Sequence, residues 1–431
     1  MTLSKPEHRF VSGLTIICLL FAFCLRAVAS TTSVDSTLSL ETAVSIALAN
    51  NPKLESVKAQ YKAQNALPDQ VSVLPEPRLI FNGASLPVDS FALNKSPMTQ
   101  IQIGLIQDFP YPGKLALRQT LAEKLAQTKK EAIDNTSHQI VHKVKTLWWN
   151  LFYLDRSLDI VASNITLVKE FIDVAETKYS VGKGLQQEVL LAHVQRAKLE
   201  DNQLQLQAMR DKVTASLNTL LNRNSLHPVK LANKVPTHLP ETKTFENLLK
   251  QAEKIRPEVR EKVQQIQAAD TRVALANKDY YPDFKLGAIY GWRQDQTALA
   301  TFQLSMNLPF TTEKRQDKKK DQRIQEWLQQ KYELVDLKNT ISEQIQQALL
   351  DYHRARNQTS IYQQRIIPEA KQTVDSMLAG YQVNKVDFLN LLNSQINLFN
   401  YQTRYWQSFT EAKQALVTLE YAVGQEDIYE K

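Results

Sequence analysis

His138 and His142 stand four residues apart in a run free of proline and glycine, the spacing at which two imidazoles on one helix face can share a metal ion. No third ligand is apparent, and the neighbours Ser137, Gln139 and Lys143 predict a solvated face instead. The remaining histidines after the N-terminal segment (His193, His227, His238 and His353) are scattered, and the 5 methionines form no cluster that would suit copper. No glycine-rich phosphate loop, no Gly-x-Ser-x-Gly elbow and no acid-histidine-nucleophile grouping occurs. These residues therefore predict no catalytic group, no cofactor and no resident metal. Trp148, Trp149, Phe152 and Tyr153 form an aromatic cluster whose expected role is packing between neighbouring helices.

The bulk composition narrows what could position any such residues. Hydrophobic residues make up 43% and charged residues 23% of the chain, as in a folded protein, and only 10 glycines in 431 residues favour long helices. Residues 1–29 read as a cleaved secretory signal. Lys5, His8 and Arg9 precede an apolar stretch from Leu14 to Leu25, and Ala27-Val28-Ala29 supplies a small-residue cleavage site. Both cysteines, Cys18 and Cys24, lie inside that segment, so the mature chain is expected to carry no disulfide and no thiolate site. With the signal go Lys5, Arg9, Arg26 and Glu7, which lowers the net charge from +7 to +5 and leaves no case for nucleic-acid binding. No later apolar run is long enough to cross a bilayer as a helix, so any membrane passage must use β-strands.

The chain also resembles itself. Leu40-Glu41, Ala47, Pro52 and Leu54 align with Phe245-Glu246, Ala252, Pro257 and Val259 at a constant offset. In the same order, Pro75 and Leu79 match Pro282 and Leu286, and Phe109-Pro110 through Lys114 matches Leu308-Pro309 through Lys314. Tyr179-Ser180-Val181-Gly182-Lys183 matches Tyr381-Gln382-Val383-Asn384-Lys385, and Leu217 and Leu220 match Leu416 and Leu419. The expected organisation is a first repeat over 30–225, a proline-containing connector over 226–242 and a second repeat over 243–431.

Each repeat reads as short helix, helix, two strands, very long helix, tight turn and long helix. Strands are expected near 78–83, 98–108, 284–292 and 300–308, and long helices over 114–179, 185–222, 313–382 and 387–422, with a kink at Pro368. Ile101, Ile103 and Leu105 alternate with Gln100, Gln102 and Gly104, and Phe302, Leu304, Met306 and Leu308 alternate with Gln303, Ser305 and Asn307. One apolar and one polar face suit either a half-buried sheet or a wall between lipid and water; aromatics near the strand ends (Phe81, Phe109, Tyr111, Tyr281, Tyr290, Trp292) favour the wall. Four strands cannot close a barrel, and open edges in lipid leave backbone groups unsatisfied, so several chains must pool them. The helix over 114–179 alone would be about 100 Å long, too long for a compact globule.

The order of elements, the segment Phe109-Pro110-Tyr111-Pro112-Gly113-Lys114, and the turn Tyr179-Ser180-Val181-Gly182 leading to Leu190-Leu191-Ala192 resemble the TolC family of outer-membrane factors over nearly the whole mature chain. The Phe-Pro-Tyr-Pro-Gly-Lys form resembles the branch serving heavy-metal (cobalt-zinc-cadmium type) pumps of the resistance-nodulation-division class. The resemblance implies a mainly α fold with a small β portion, whose two tandem repeats trimerise into a twelve-stranded β-barrel on an α-helical tunnel. It implies a place in the outer membrane with a large periplasmic helical part, and these partners: two further copies of the chain, outer-membrane lipid, a periplasmic adaptor (membrane fusion) protein and an inner-membrane pump.

In such proteins the hairpin tips close the tunnel at rest. The matching positions give Tyr179, Glu188, Tyr381, Asp387, Asn390 and Asn393 as candidate constriction or adaptor-facing residues. Well-known members carry a ring of aspartates where this chain has Asn390 and Asn393; amides offer hydrogen bonds but no fixed charge, a departure from a strongly cation-selective gate. Tyr179 and Tyr381 have an equal claim to packing between helices. Lys314, Arg315, Lys318, Lys319, Lys320 and Arg323, interleaved with Asp317 and Asp321, fit a solvated helix face, with a place near the inner membrane leaflet or the tunnel mouth as the sharper alternative. Two other functions stay open at this point: the duct of an ATP-driven (type I) protein secretion system, and a periplasmic coiled-coil structural protein without a pore.

Overall fold

The computed structural model describes residues 37–232 and 237–429, so the expected signal segment lies outside the described residues. The described residues begin with three short helices, and the break between the first two is written in their caps. α1 (Leu40–Asn50) starts at Ser39, whose hydroxyl accepts the Thr42 amide at 3.1 Å. α2 (Pro52–Asn65) follows at once: Asn51 accepts the Lys53 amide at 3.0 Å, and Pro52 takes the first helical position, where no N–H is needed. α3 (Leu67–Ser72) leads to β1 (Arg78–Ala84) and β2 (Gln100–Phe109). The 67-residue α4 (Lys114–Ser180), about 100 Å of unbroken helix, then turns back into α5 (Gln186–Leu220).

The second half runs in the same order: α6 (Phe245–Ile255), α7 (Pro257–Lys278), β3 (Phe284–Trp292), β4 (Leu299–Met306), α8 (Gln316–Ile361), α9 (Ile367–Gln382) and α10 (Phe388–Val423). Between α8 and α9, Tyr362–Ile366 form a π-helical turn. It sits just before Pro368, where the sequence predicts a kink. Proline lacks an amide hydrogen and its ring presses on the carbonyl four residues back, here Gln364, and a widened turn relieves both.

Matching positions of the two halves are buried. Ala43, Ala47 and Leu54 pack with Val144, Trp148, Leu151 and Leu217 in one core; Leu248, Ala252 and Val259 pack with Ile345, Leu349, Tyr352 and Leu416 in another. The first core holds Trp148, Trp149 and Phe152, so the aromatic cluster packs between helices, and the Trp148 indole donates to the Leu38 carbonyl at 3.1 Å. A third core, far along the long helices, gathers Phe171, Ile172 and Ala175 of α4 with Ala192 of α5, Tyr381 of α9 and Phe388 and Leu391 of α10.

The strands form one antiparallel sheet in the order β1-β2-β3-β4. Leu79, Leu105, Ala288 and Phe302 make one row across it, and Phe81, Ile103, Tyr290 and Ala300 the next. All four strands meet the helical part at the same end, where Phe109 pairs with Phe284 and Phe284 with Met306.

Candidate functional site

Three places in this scaffold carry chemistry beyond packing: the sheet, the junction where strands become helices, and the hairpin tips. On the sheet, period-two alternation sends Leu79, Phe81, Ile103, Leu105, Leu286, Tyr290, Trp292, Phe302 and Leu304 to one face, and every one of them is exposed, Phe81 at 74% and Phe302 at 85%. The opposite face carries Arg78, Asn82, Gln100, Gln102, Asp108, Lys285, Thr301, Gln303 and Ser305, with Ile80, Ile106 and Ile289 among them. That face is curled tightly enough that a Cβ on Gly104 would stand 2.8 Å from the Ala288 carbonyl. The expected aromatics divide between the two ends, Phe81, Tyr290 and Trp292 toward one and Phe109, Tyr111 and Tyr281 at the other. The 9 residues of β3 extend about 30 Å, which at a tilt of about 40° fits the ~25 Å apolar band of outer-membrane barrels. Among the described residues no helix is long and apolar enough to cross a membrane.

At the junction, the Phe109-Pro110-Tyr111-Pro112-Gly113-Lys114 segment turns strand into helix. Gly113, at φ 89°, reverses the chain in the left-handed region, and α4 begins at the next residue. The Tyr111 ring stacks on Tyr281 at 4.4 Å, and the Tyr111 amide donates to Asp283 at 2.7 Å. The buried Lys114 ammonium lies 3.0 Å from Asp283 and 3.5 Å from Asp279, which tethers the first half's strand-to-helix turn to the second half's. Asp279 also holds Lys319 at 2.6 Å, and the Tyr280 hydroxyl donates to Asp317.

At the tips both hairpins turn in the same way. Gly182 (φ 72°) and Asn384 (φ 61°) occupy the left-handed position, the conformation glycine tolerates best and asparagine next. The Lys183 amide donates to the Lys178 carbonyl at 2.8 Å and the Lys385 amide to the Gly380 carbonyl at 2.9 Å, closing both helices with the same motif.

Of the candidate tip residues, Tyr381 is 2% exposed and sits under the third core. Its hydroxyl donates to Glu188 at 3.0 Å, its carbonyl accepts the Lys178 ammonium at 2.6 Å, and that ammonium stands 3.9 Å over its ring. Burial first, then the Glu188 carboxylate, pushes the phenol well above its ordinary range, so it remains a donor. Tyr179 is 49% exposed, and Asp387, Asn390 and Asn393 are all exposed around the start of α10. The structure thus brings Tyr381 and Glu188 together and leaves the other four at the surface. Lys178 completes the cluster; the sequence reading passed over it, although it is the basic residue in the last turn of α4.

The expected solvated face at His138 and His142 is not found. Both rings are half-buried in a cleft lined also by Val44, Lys145, Tyr421 and Glu426, because α1 and the C-terminal part of α10 cover that side of α4. His142 lies 3.4 Å from the Thr418 hydroxyl, and burial is the leading cause that lowers both imidazole pKa values. Among the described residues no group of three or more His, Cys, Asp or Glu is arranged to hold a metal.

A family model, the outer membrane efflux protein, matches residues 43–223 and 248–425, most of the chain. The chain belongs to the outer membrane efflux protein family. It is accordingly an outer-membrane efflux protein with a large helical part in the periplasm, and its fold is mainly α with a small β portion. No functionally curated protein is detectably similar in sequence. Solved structures share the fold at low identity. The outer-membrane channel OprN aligns with a TM-score of 0.76 at 16% identity, over 89% of each chain. The outer membrane protein VceC of Vibrio cholerae aligns at 0.76 and 15%, over 90% of this chain and 96% of its own. CusC, described in connection with transmembrane channel formation, aligns at 0.75 and 16%, over 90% and 92%.

Proposed function

We propose that three copies of this efflux protein pool their strands into one barrel across the outer membrane and their helices into a tunnel through the periplasm. An inner-membrane pump and a periplasmic adaptor deliver cargo to this passive duct, and the chain performs no catalytic step. The observation that carries the reading is the sheet itself. Its exposed face is apolar between two rows of aromatics, its other face is largely polar, and β1 and β4 have free edges that only further copies can satisfy in lipid. The cargo is proposed to be heavy-metal ions or small toxic compounds, a choice supported by the Phe109–Lys114 segment and its resemblance to heavy-metal branches. Loss of the gene should then raise sensitivity to metal ions, and unchanged tolerance across a metal panel counts against that cargo.

The Tyr381–Glu188–Lys178 cluster supports a gate at the tips. It fastens the second hairpin to the first, and the tunnel opens when the hairpins part. Asn390 and Asn393 line the constriction as uncharged hydrogen-bonding groups.

A pair of substitutions tests the membrane reading. Phe302→Lys puts a charge on the apolar face, at a cost of about 2–4 kcal/mol in mid-bilayer, and should abolish recovery from the outer-membrane fraction. Gln303→Lys, one residue on, should leave insertion intact and shift conductance toward anions. Equal effects of the two on insertion would place the sheet in water.

A further inference from the structure

Over residues 313–321 the junction between sheet and helices carries five cations against three carboxylates, Glu313, Asp317 and Asp321. Asp279 is taken by Lys114 and Lys319, Asp283 by Lys114 and the Tyr111 amide, and Asp317 by the Tyr280 hydroxyl. Lys314, Arg315 and Lys318 remain exposed, the last 3.8 Å from Asp321, and Lys278 lies 5.5 Å over the Tyr111 ring. α8 begins at Gln316, so these cations crowd the positive end of a 46-residue helix, where the helix dipole disfavours them. Such a concentration calls for an anion from outside the chain.

The surroundings identify the anion's source. The cations follow directly on the exposed apolar face: Leu308 is 55% exposed, Phe310 86%, and Lys314 comes four residues later. The stacked Tyr111 and Tyr281 mark the same level. An apolar band, then amphipathic rings, then an excess of exposed cations is the profile of a bilayer read from hydrocarbon through glycerol to headgroup phosphate. We propose that Lys314, Arg315 and Lys318 form a basic collar that binds the phosphates of anionic phospholipids in the periplasmic leaflet. This inference rests on the membrane placement proposed above.

The test uses the full-length channel reconstituted in mixed phosphatidylcholine and phosphatidylglycerol nanodiscs, with retained lipid counted by native mass spectrometry after release. The wild-type protein should retain phosphatidylglycerol in preference to phosphatidylcholine. The triple variant Lys314→Gln/Arg315→Gln/Lys318→Gln should lose that preference by about tenfold or more. A control with exposed cations removed elsewhere (Lys198→Gln/Lys250→Gln/Lys371→Gln) should keep it. Co-flotation with pure phosphatidylcholine vesicles separates the two readings: a wild-type protein that fails to float overturns the membrane placement itself. If the triple variant floats and retains phosphatidylglycerol as the wild type does, the collar is wrong. A shifted ion selectivity with unchanged lipid retention puts the cations on the lumen and also overturns it, as does full displacement of the lipid by inorganic phosphate.

Discussion

Tyr381 joins two hairpins through its ring, its hydroxyl and its carbonyl: Glu188 takes the hydroxyl, and the Lys178 ammonium engages both the carbonyl and the ring. Tyr381→Phe keeps the packing and deletes the hydroxyl bond to Glu188, a loss of about 1 kcal/mol, so the open population of a closed tunnel should rise roughly fivefold. Planar-bilayer recordings read this directly, and an unchanged open probability removes the bond from the gate. His138 and His142 carry a different expectation. Burial holds both pKa values below the ordinary imidazole value of about 6.5, so the unfolded chain takes up protons first as pH falls. The stability they contribute is full above that value and drains as pH drops through and below it. The melting temperature of the purified protein should fall between about pH 7.5 and 5.5, and His138→Gln/His142→Gln should flatten that fall. A variant with the wild-type slope would clear the pair of this role. Neither result was visible from local sequence. His138 and His142 looked solvated because α1 and α10, which cover them, are remote in the chain, and Lys178 meets Tyr381 only once the hairpins lie side by side.

The elements themselves were far more legible, since periodicity is a local property. Alternation at Ile101–Leu105 and Phe302–Met306 placed the side chains on the faces that the strand register now gives them. The Tyr-Ser-Val-Gly and Tyr-Gln-Val-Asn turns were found by likeness to each other, and both prove to be left-handed helix stops. Strand and helix starts drifted where tertiary contacts decide them: β2 begins at Gln100 rather than Met98, and α8 at Gln316 rather than 313. The turns also differ in one compensated way. A Cβ on Gly184 would press on Lys178 at 3.0 Å, whereas in the second half the glycine is Gly380 and the bulky partner is Val386, at 2.5 Å. Each turn therefore closes over one small residue, on opposite sides of the bend. Gly182→Ala should cost about 1 kcal/mol in the left-handed position, while Asn384→Gly should be close to neutral; thermal melts of the two variants check this, and equal losses contradict the assigned geometry.

At the scale of the whole molecule, two halves are tied at both ends of their long helices, by Lys114 to Asp283 near the sheet and by Lys178 to Tyr381 at the tips. Between these ties Asn164 of α4 and Gln395 of α10, each nearly fully buried, form a hydrogen-bonded pair, the kind of polar contact that fixes helix register. The sheet is the part left incomplete. β1 and β4, first and last in its order, have no neighbour on their outer sides among the described residues. A lone copy entering hydrocarbon would strand two rows of backbone amides and carbonyls at several kcal/mol per group. Bilayer entry must then be a concerted step whose rate climbs faster than linearly with protein concentration, and below some threshold dilution the chain should idle in the aqueous compartment, helices formed, awaiting company.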